Sequence, residues 1–207
     1  MRGIIGKKLG MTTIFGEDGK SLPVTLVEAG PCQVVQVKTP ERDDYSALQL
    51  GFEPIKEKKV TKPLLGHFKG AGVTSYRILR EFKDWGEEMK VGTEIKADIF
   101  SPGETVDVVG ISKGKGFMGV VKKYGFRGGP KTHGQSDRHR APGSIGASSS
   151  PSRVYKGTKM AGKTGGRRVT VRNSVLVKLI PEKNLLAIKG SLPGPPQSYL
   201  IVRKVQG

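Results

Sequence analysis

The sequence predicts a mainly β, antiparallel fold, a small barrel or sandwich, interrupted by one long basic loop. Three observations predict it. Short apolar-alternating runs recur with turn residues between them about every 8–12 residues, the rhythm of antiparallel all-β folds. Asp18-Gly19 stands between two such runs, which is a hairpin signal. From Ser112 to Arg172 the rhythm stops and charge takes over, with fifteen Lys or Arg and one acid, Asp137.

Taken in order, Ile4 and Ile5 and then Met11 to Phe15 read as strand pieces. Glu17 to Lys20 reads as a turn and Ser21 to Glu28 as a strand that alternates again. Gly30-Pro31 turns the chain into Cys32 to Lys38, and Ser46 to Phe52 follows. Lys56 to Lys59 is charged and expected to be exposed. Thr61-Lys62-Pro63 is a helix start, with Pro in the first turn and Gly70 or Gly72 as the stop. Ser75 to Lys83 fits a strand better than a helix, because Tyr76, Ile78 and Phe82 fall on alternate positions. Thr93 to Phe100 is a strand or short turn, and Pro102-Gly103 leads into a strand at Thr105 to Ile111. After the basic stretch, strand pattern returns at Val169 to Ile180, Leu185 to Lys189 and Tyr199 to Val205, with a turn at Pro181 to Asn184. The expected division is a globular body of residues 1–111 and 169–207, with a small insertion at about 55–90, and an extension of residues 112–168.

Charge separates these parts. Residues 1–111 carry sixteen basic and sixteen acidic side chains, residues 112–172 fifteen and one, residues 173–207 five and one. The net +18 is therefore 0, +14 and +4 along the chain. A field so concentrated points to a polyanionic partner. The same stretch holds thirteen glycines and three prolines, with few large apolar residues. Burying so little cannot offset an ordering cost of ~1–2 kcal/mol per residue, so the stretch is expected to be mobile alone and ordered along phosphates.

Other classes find less support. Cys32 lies in an alternating run and reads as a buried, inert thiol. No apolar run reaches the length of a membrane span and the first residues make no secretory signal, so a cytoplasmic location is expected. Gly157 to Thr164, GTKMAGKT, matches a phosphate-binding loop, with Lys163 on phosphates and Thr164 on magnesium. That loop needs a following helix, whereas Gly165 to Arg168 are poor helix formers and a strand pattern comes next. His133, Asp137 and His139 form a small cluster beside Lys131, Arg138 and Arg140, whose charge would repel a cation. Contacts to ribose, phosphate or base edges suit it better. His67 reads as a packing or surface histidine. No catalytic residue, metal ligand or cofactor is expected. A nucleotide hydrolase, a duplex-DNA architectural protein and a polybasic membrane anchor are the competing classes.

SKGKGF (112–117), HRAPGSIG (139–146), VYKGTKMAG (154–162) and NLLAIKGSLPGP (184–195) resemble bacterial ribosomal protein "L three" of the large subunit. So do GIIGKKLGMTTIF (3–15) and PLLGHFKGAGV (63–73), and the resemblance runs through the whole chain in order. It implies an antiparallel β-barrel of the translation-protein type with a small inserted α/β element and a long basic loop. It also implies an early assembly protein whose body binds large-subunit rRNA near the 3′ end. The loop would lead toward the peptidyl transferase centre, with its tip around His139 to Pro151, beside neighbouring large-subunit proteins and with no DNA or membrane partner. Some relatives carry a methylated Gln just after PGSIG; here Ala147-Ser148-Ser149-Ser150 stand there, so that modification does not transfer. The expected rRNA contacts are Lys113, Lys115, Lys122, Lys123, Arg127, Lys131, Arg138, Arg140, Arg153, Lys156, Lys159, Lys163, Arg167 and Arg168 to phosphates, and His133, His139 and Tyr155 to base or sugar.

Overall fold

A computed structural model describes residues 2–16, 18–83, 85–86 and 89–205. Antiparallel strands dominate, and the helices are short. The chain divides into two units, Met1–Ile111 with Arg168–Gly207, and Ser112–Arg167.

In the first unit, β1 (Gly3–Phe15) and β2 (Ser21–Ala29) form a hairpin. Its turn uses Gly19 at φ 71°, a region that only glycine enters without strain. The sequence reading splits β1 into two pieces, but the strand is continuous. A register shift between Lys8 and Gly10 carries it across the Gly-Lys interval that breaks the alternation. Gly6 is needed there, because a Cβ would lie 2.7 Å from Val27 Cγ1 and 2.8 Å from the Glu28 carbonyl.

β7 (Thr105–Ile111), β10 (Arg168–Ile180), β11 (Leu185–Lys189) and β12 (Tyr199–Lys204) join the hairpin. They pair antiparallel in the order β1-β12-β7-β10-β11-β2, and β2 returns to β1, so the ring closes with no free edge. β3 (Cys32–Lys38), β4 (Ala47–Pro54), β5 (Tyr76–Lys83) and the two-residue β6 (Glu94–Ile95) form a separate sheet in the order β5-β4-β3-β6.

This second sheet corrects the expected insertion of about 55–90. It begins at Cys32 and ends at Ile95, so β3 and β4 lie outside the ring. Alternation identifies a strand but not its sheet: β3 pairs with its neighbour β4 and also with the distant β6, Cys32 opposite Ile95. Glu94–Ile95 is a shorter strand than the Thr93 to Phe100 reading allows, because a 3-10 turn begins at Ala97. Helix α1 (Pro40–Asp43) follows β3. Helix α2 (Lys62–Ala71) has Pro63 in its first turn and ends at Gly72, φ 65°. Barrel residues Ile4, Ile5, Val108, Leu176, Leu186 and Val202, sheet residues Leu50, Phe52, Phe82 and Ile95, and Trp85 are buried in one continuous core.

The second unit is the chain between β7 and β10. Its two ends pair with each other: the Ser112 N–H donates to the Arg167 carbonyl at 2.9 Å and the Lys115 N–H to the Thr164 carbonyl at 2.8 Å. The ladder continues as β8 (Phe117–Met118) against β9 (Gly162–Lys163), and α3 (Val120–Tyr124) follows β8. Between α3 and β9 the only regular element is a 3-10 turn at Arg138–Arg140. Arg168, expected in the extension, begins β10 and belongs to the first unit.

Candidate nucleic-acid interface

The two units treat their charges differently. In the first, cations meet carboxylates: Lys7 with Glu53 at 3.2 Å, Lys38 with Glu81 at 2.9 Å, Lys204 with Glu104 at 2.9 Å. The hydrogen bond from Tyr199 and the charge of Lys7 hold the Glu53 carboxyl below the ordinary carboxylate range. Lys38 and Tyr45 do the same for Glu81.

In the second unit, the expected contact residues from Lys113 to Arg167 have no ion pair among the described residues. All are exposed except Lys123 and His139, which are half-buried, and Arg168 on β10 is exposed as well. Large apolar side chains are exposed among them: Phe117, Ile145, Val154, Tyr155 and Met160. Uncompensated cations interleaved with exposed aromatic and aliphatic groups suit a partner with phosphates and flat bases.

Local structure positions several of these groups. Lys123 lies over the Tyr124 ring at 5.0 Å and Lys159 approaches the same ring at 5.9 Å, so cations from both limbs converge on one aromatic ring. Lys123 also donates to the Met160 carbonyl at 3.4 Å. The sequence pattern places Tyr124 inward and Lys123 outward. Instead Val120 is buried, Tyr124 is 39% exposed and Lys123 is half-buried. A five-residue helix has too short an apolar face to bury the ring as well, and the ring serves the two lysines. Arg153 lies over Tyr155 at 5.7 Å.

The GTKMAGKT segment lacks the geometry of a phosphate-binding loop. Gly162 and Lys163 lie in β9, the Thr164 N–H donates to the Gly116 carbonyl at 2.9 Å, and the next element is strand β10. No helix N-terminus follows Lys163 to receive a phosphate. Gly165, at φ 74°, is required by its neighbour across the ladder: a Cβ would sit 2.1 Å from the Lys113 carbonyl oxygen. Its role is backbone packing inside the unit. Among the described residues no group of three His, Cys, Asp or Glu is placed to hold a metal ion. His67 bonds to Gln49 Oε1 at 2.7 Å and is half-buried. Cys32 is fully buried, its thiol facing the Ile5 carbonyl at 3.5 Å and pushed up to about 12 by desolvation.

The sequence reading missed a hollow at one bend of the second unit. The Gly129 N–H donates to the His139 carbonyl at 2.9 Å, the Arg138 N–H to the Gln135 carbonyl at 3.0 Å and the Ala141 N–H to the Arg138 carbonyl at 3.1 Å. These bonds close residues 128–141 into a compact turn. It frames a cavity of about 590 Å³ lined by Phe126, Arg127, Gln135, Arg138, Pro142 and neighbouring glycines. The adjacent Gly128-Gly129 pair was the signal in the sequence, since paired glycines mark close backbone approach.

The described residues include no helix long and apolar enough to cross a membrane. A family model described as "Ribosomal protein L3" matches residues 72–184, more than half of the chain and all of the second unit. The "Large ribosomal subunit protein uL3" of Acidothermus cellulolyticus is 52% identical over 204 residues, covering 98% of this chain and 92% of the relative. Together with the charge distribution, these matches lead to one conclusion: the chain belongs to the ribosomal protein L3 family, whose members are structural ribosomal proteins and not enzymes.

Proposed function

We propose that the chain is a constituent of the large ribosomal subunit that binds its rRNA, with Ser112–Arg168 as the principal contact and the β-rich unit as scaffold. The observation that carries this is the contrast in charge compensation. In the body, lysines such as Lys7, Lys38 and Lys204 meet carboxylates, whereas the lysines from Lys113 to Lys163 and the arginines among them have no ion pair among the described residues, and all but Lys123 are exposed. Each such cation that meets a phosphate releases condensed counterions. The many glycines let the backbone follow an irregular RNA surface, which suits folded RNA better than the deep, narrow groove of an A-form duplex.

The finer placement rests on the family. The ring of six strands takes the role of a translation-protein barrel bound near the 3′ end of the rRNA. The basic unit leads toward the peptidyl transferase centre with His139 to Pro151 at its tip. The protein joins the subunit early in assembly, in the cytoplasm, beside other large-subunit proteins.

The test is the salt dependence of binding between the full chain and large-subunit rRNA. Changing Lys113, Lys115, Arg127, Lys131, Arg153 and Lys156 together to Gln should reduce the slope of log K against log salt by about four to six, near one per lost phosphate contact. Changing Lys56, Lys58, Lys59 and Lys62 should alter it less. An unchanged slope in the first variant would remove Ser112–Arg168 from the interface. Competition with duplex DNA at matched salt separates this reading from an architectural DNA protein, because the folded rRNA should win.

A further inference from the structure

We propose that the hollow beside Phe126 is a pocket for a single unstacked adenine nucleotide, a base-reading site separate from the phosphate contacts around it. The inference rests on the RNA-binding reading above and adds a ligand of defined chemistry to one place within it.

Four observations converge there. The cavity, about 590 Å³, is larger than an anion needs and has room for a base with its sugar and phosphate. Its apolar walls come from the Phe126 ring, Ala141 and Pro142, and Phe126 is itself braced against Tyr124 with ring centroids 6.2 Å apart. Aromatic and proline faces of this kind receive the flat face of an extruded base.

The carboxamide of Gln135 lines the cavity and has no hydrogen-bonding partner among the described residues. A side-chain amide presents one donor and one acceptor side by side. Adenine offers the complementary pair on either edge, N6–H with N7 or N6–H with N1, which is why Asn and Gln are matched to adenine. Arg127 and Arg138 line the same cavity, exposed and without an ion pair, so a phosphate on the nucleotide finds its counter-charge at the rim. The nearby acid, Asp137, does not line it.

The backbone makes the pocket a built feature. Gly128 has φ 73°, and a Cβ on it would lie 2.4 Å from the His139 carbonyl oxygen. A Cβ on Gly129 would lie 3.1 Å from Gln135 Oε1. Gly128 is therefore required where the chain crosses His139, and Gly129 leaves the amide of Gln135 room to lie against the backbone.

The experiment uses the full chain bound to large-subunit rRNA in reconstituted particles. Adenines are probed at N1 with dimethyl sulfate and at N7 with diethyl pyrocarbonate. With the natural protein, one adenine should be protected on one of these edges. In Phe126→Ala and in Gln135→Ala its reactivity should rise about fivefold or more, while the protein still enters the particle, because a good bidentate contact carries ~1–3 kcal/mol of base discrimination. Gln135→Glu keeps the side chain's size and removes the donor, so it should lose the same protection even if Phe126→Ala disturbs the turn. If all three variants bind and no adenine changes its reactivity, the pocket does not read a base. If the natural protein fails to bind the rRNA, the RNA-binding reading falls and takes the pocket with it.

Discussion

Glu53 shows how single residues hold the body together. It lies in β4 at φ 60°, a left-handed conformation disfavoured for a side chain of its size. Three contacts fix it: Lys7 of β1 at 3.2 Å, the Tyr199 hydroxyl of β12, and Arg77 of β5 at 3.8 Å. Strands of the ring and of the second sheet thus meet at one carboxylate. Its pKa is lowered in the folded protein, as is that of Glu81. The unfolded chain therefore binds protons more readily, so the stabilisation is fully present above the ordinary value of 4.5 and is lost as pH falls through the native values. Tyr199→Phe should cost about 1 kcal/mol at pH 7, at the low end for a charge-assisted hydrogen bond because the site is partly exposed. Urea unfolding should show that cost shrinking toward zero as pH falls through the lowered native value of Glu53 and the carboxyl becomes protonated. A cost independent of pH would mean that the Tyr199 hydroxyl does not act through the charge of Glu53. Little of this was legible in the sequence. Lys8 is the clearer case: it reads as one more surface cation, yet it is buried, with Nζ donating to the Leu192 and Gly194 carbonyls at 2.8 and 3.0 Å. Those acceptors lie more than 180 residues away, and no local pattern announces them.

Elements were more legible than their partners. Cys32–Lys38, Thr105–Ile111 and Leu185–Lys189 coincide with short apolar-rich runs set off by Gly, Pro or Asn, because strand burial leaves its mark on the residues themselves. Helix α2 follows from Pro63 and Gly72. Which sheet a strand joins is a non-local matter: β3 and β4 pair as neighbours, but nothing in their own residues places them outside the ring. In the second unit the ladder from Ser112 to Met118 against Gly162 to Arg167 was also not legible, since Lys and Gly give no alternation to read. That ladder shapes the next prediction. Replacing residues 126–161 with a short Gly-Ser turn keeps both of its strands and leaves the core of the first unit intact. The shortened chain should keep a cooperative thermal transition within a few degrees of the natural protein, because the deleted segment buries little apolar area. It should also be recovered poorly in large-subunit particles. Loss of the cooperative transition would mean that this segment stabilises the core.

At the scale of the molecule, charge and order divide along the same boundary. The first 111 residues sum to zero and the next 61 to +14, a division legible in composition alone. In three dimensions Glu53, Glu81 and Glu104 meet lysines of the first unit, while the cations of the basic part have no ion pair among the described residues. Between α3 and β9 there is almost no regular structure, and large apolar groups such as Phe117 and Tyr155 are exposed. Ordering such a segment costs ~1–2 kcal/mol per residue. The energy of binding RNA has to meet that cost. Hydrogen exchange of the full chain, with and without large-subunit rRNA, tests this most directly. Exchange from 126 to 161 should be fast in the free protein and slow in the complex, with little change in β2, β7 and β12. Slow exchange from 126 to 161 without RNA, or RNA protection confined to the strands of the first unit, would contradict it.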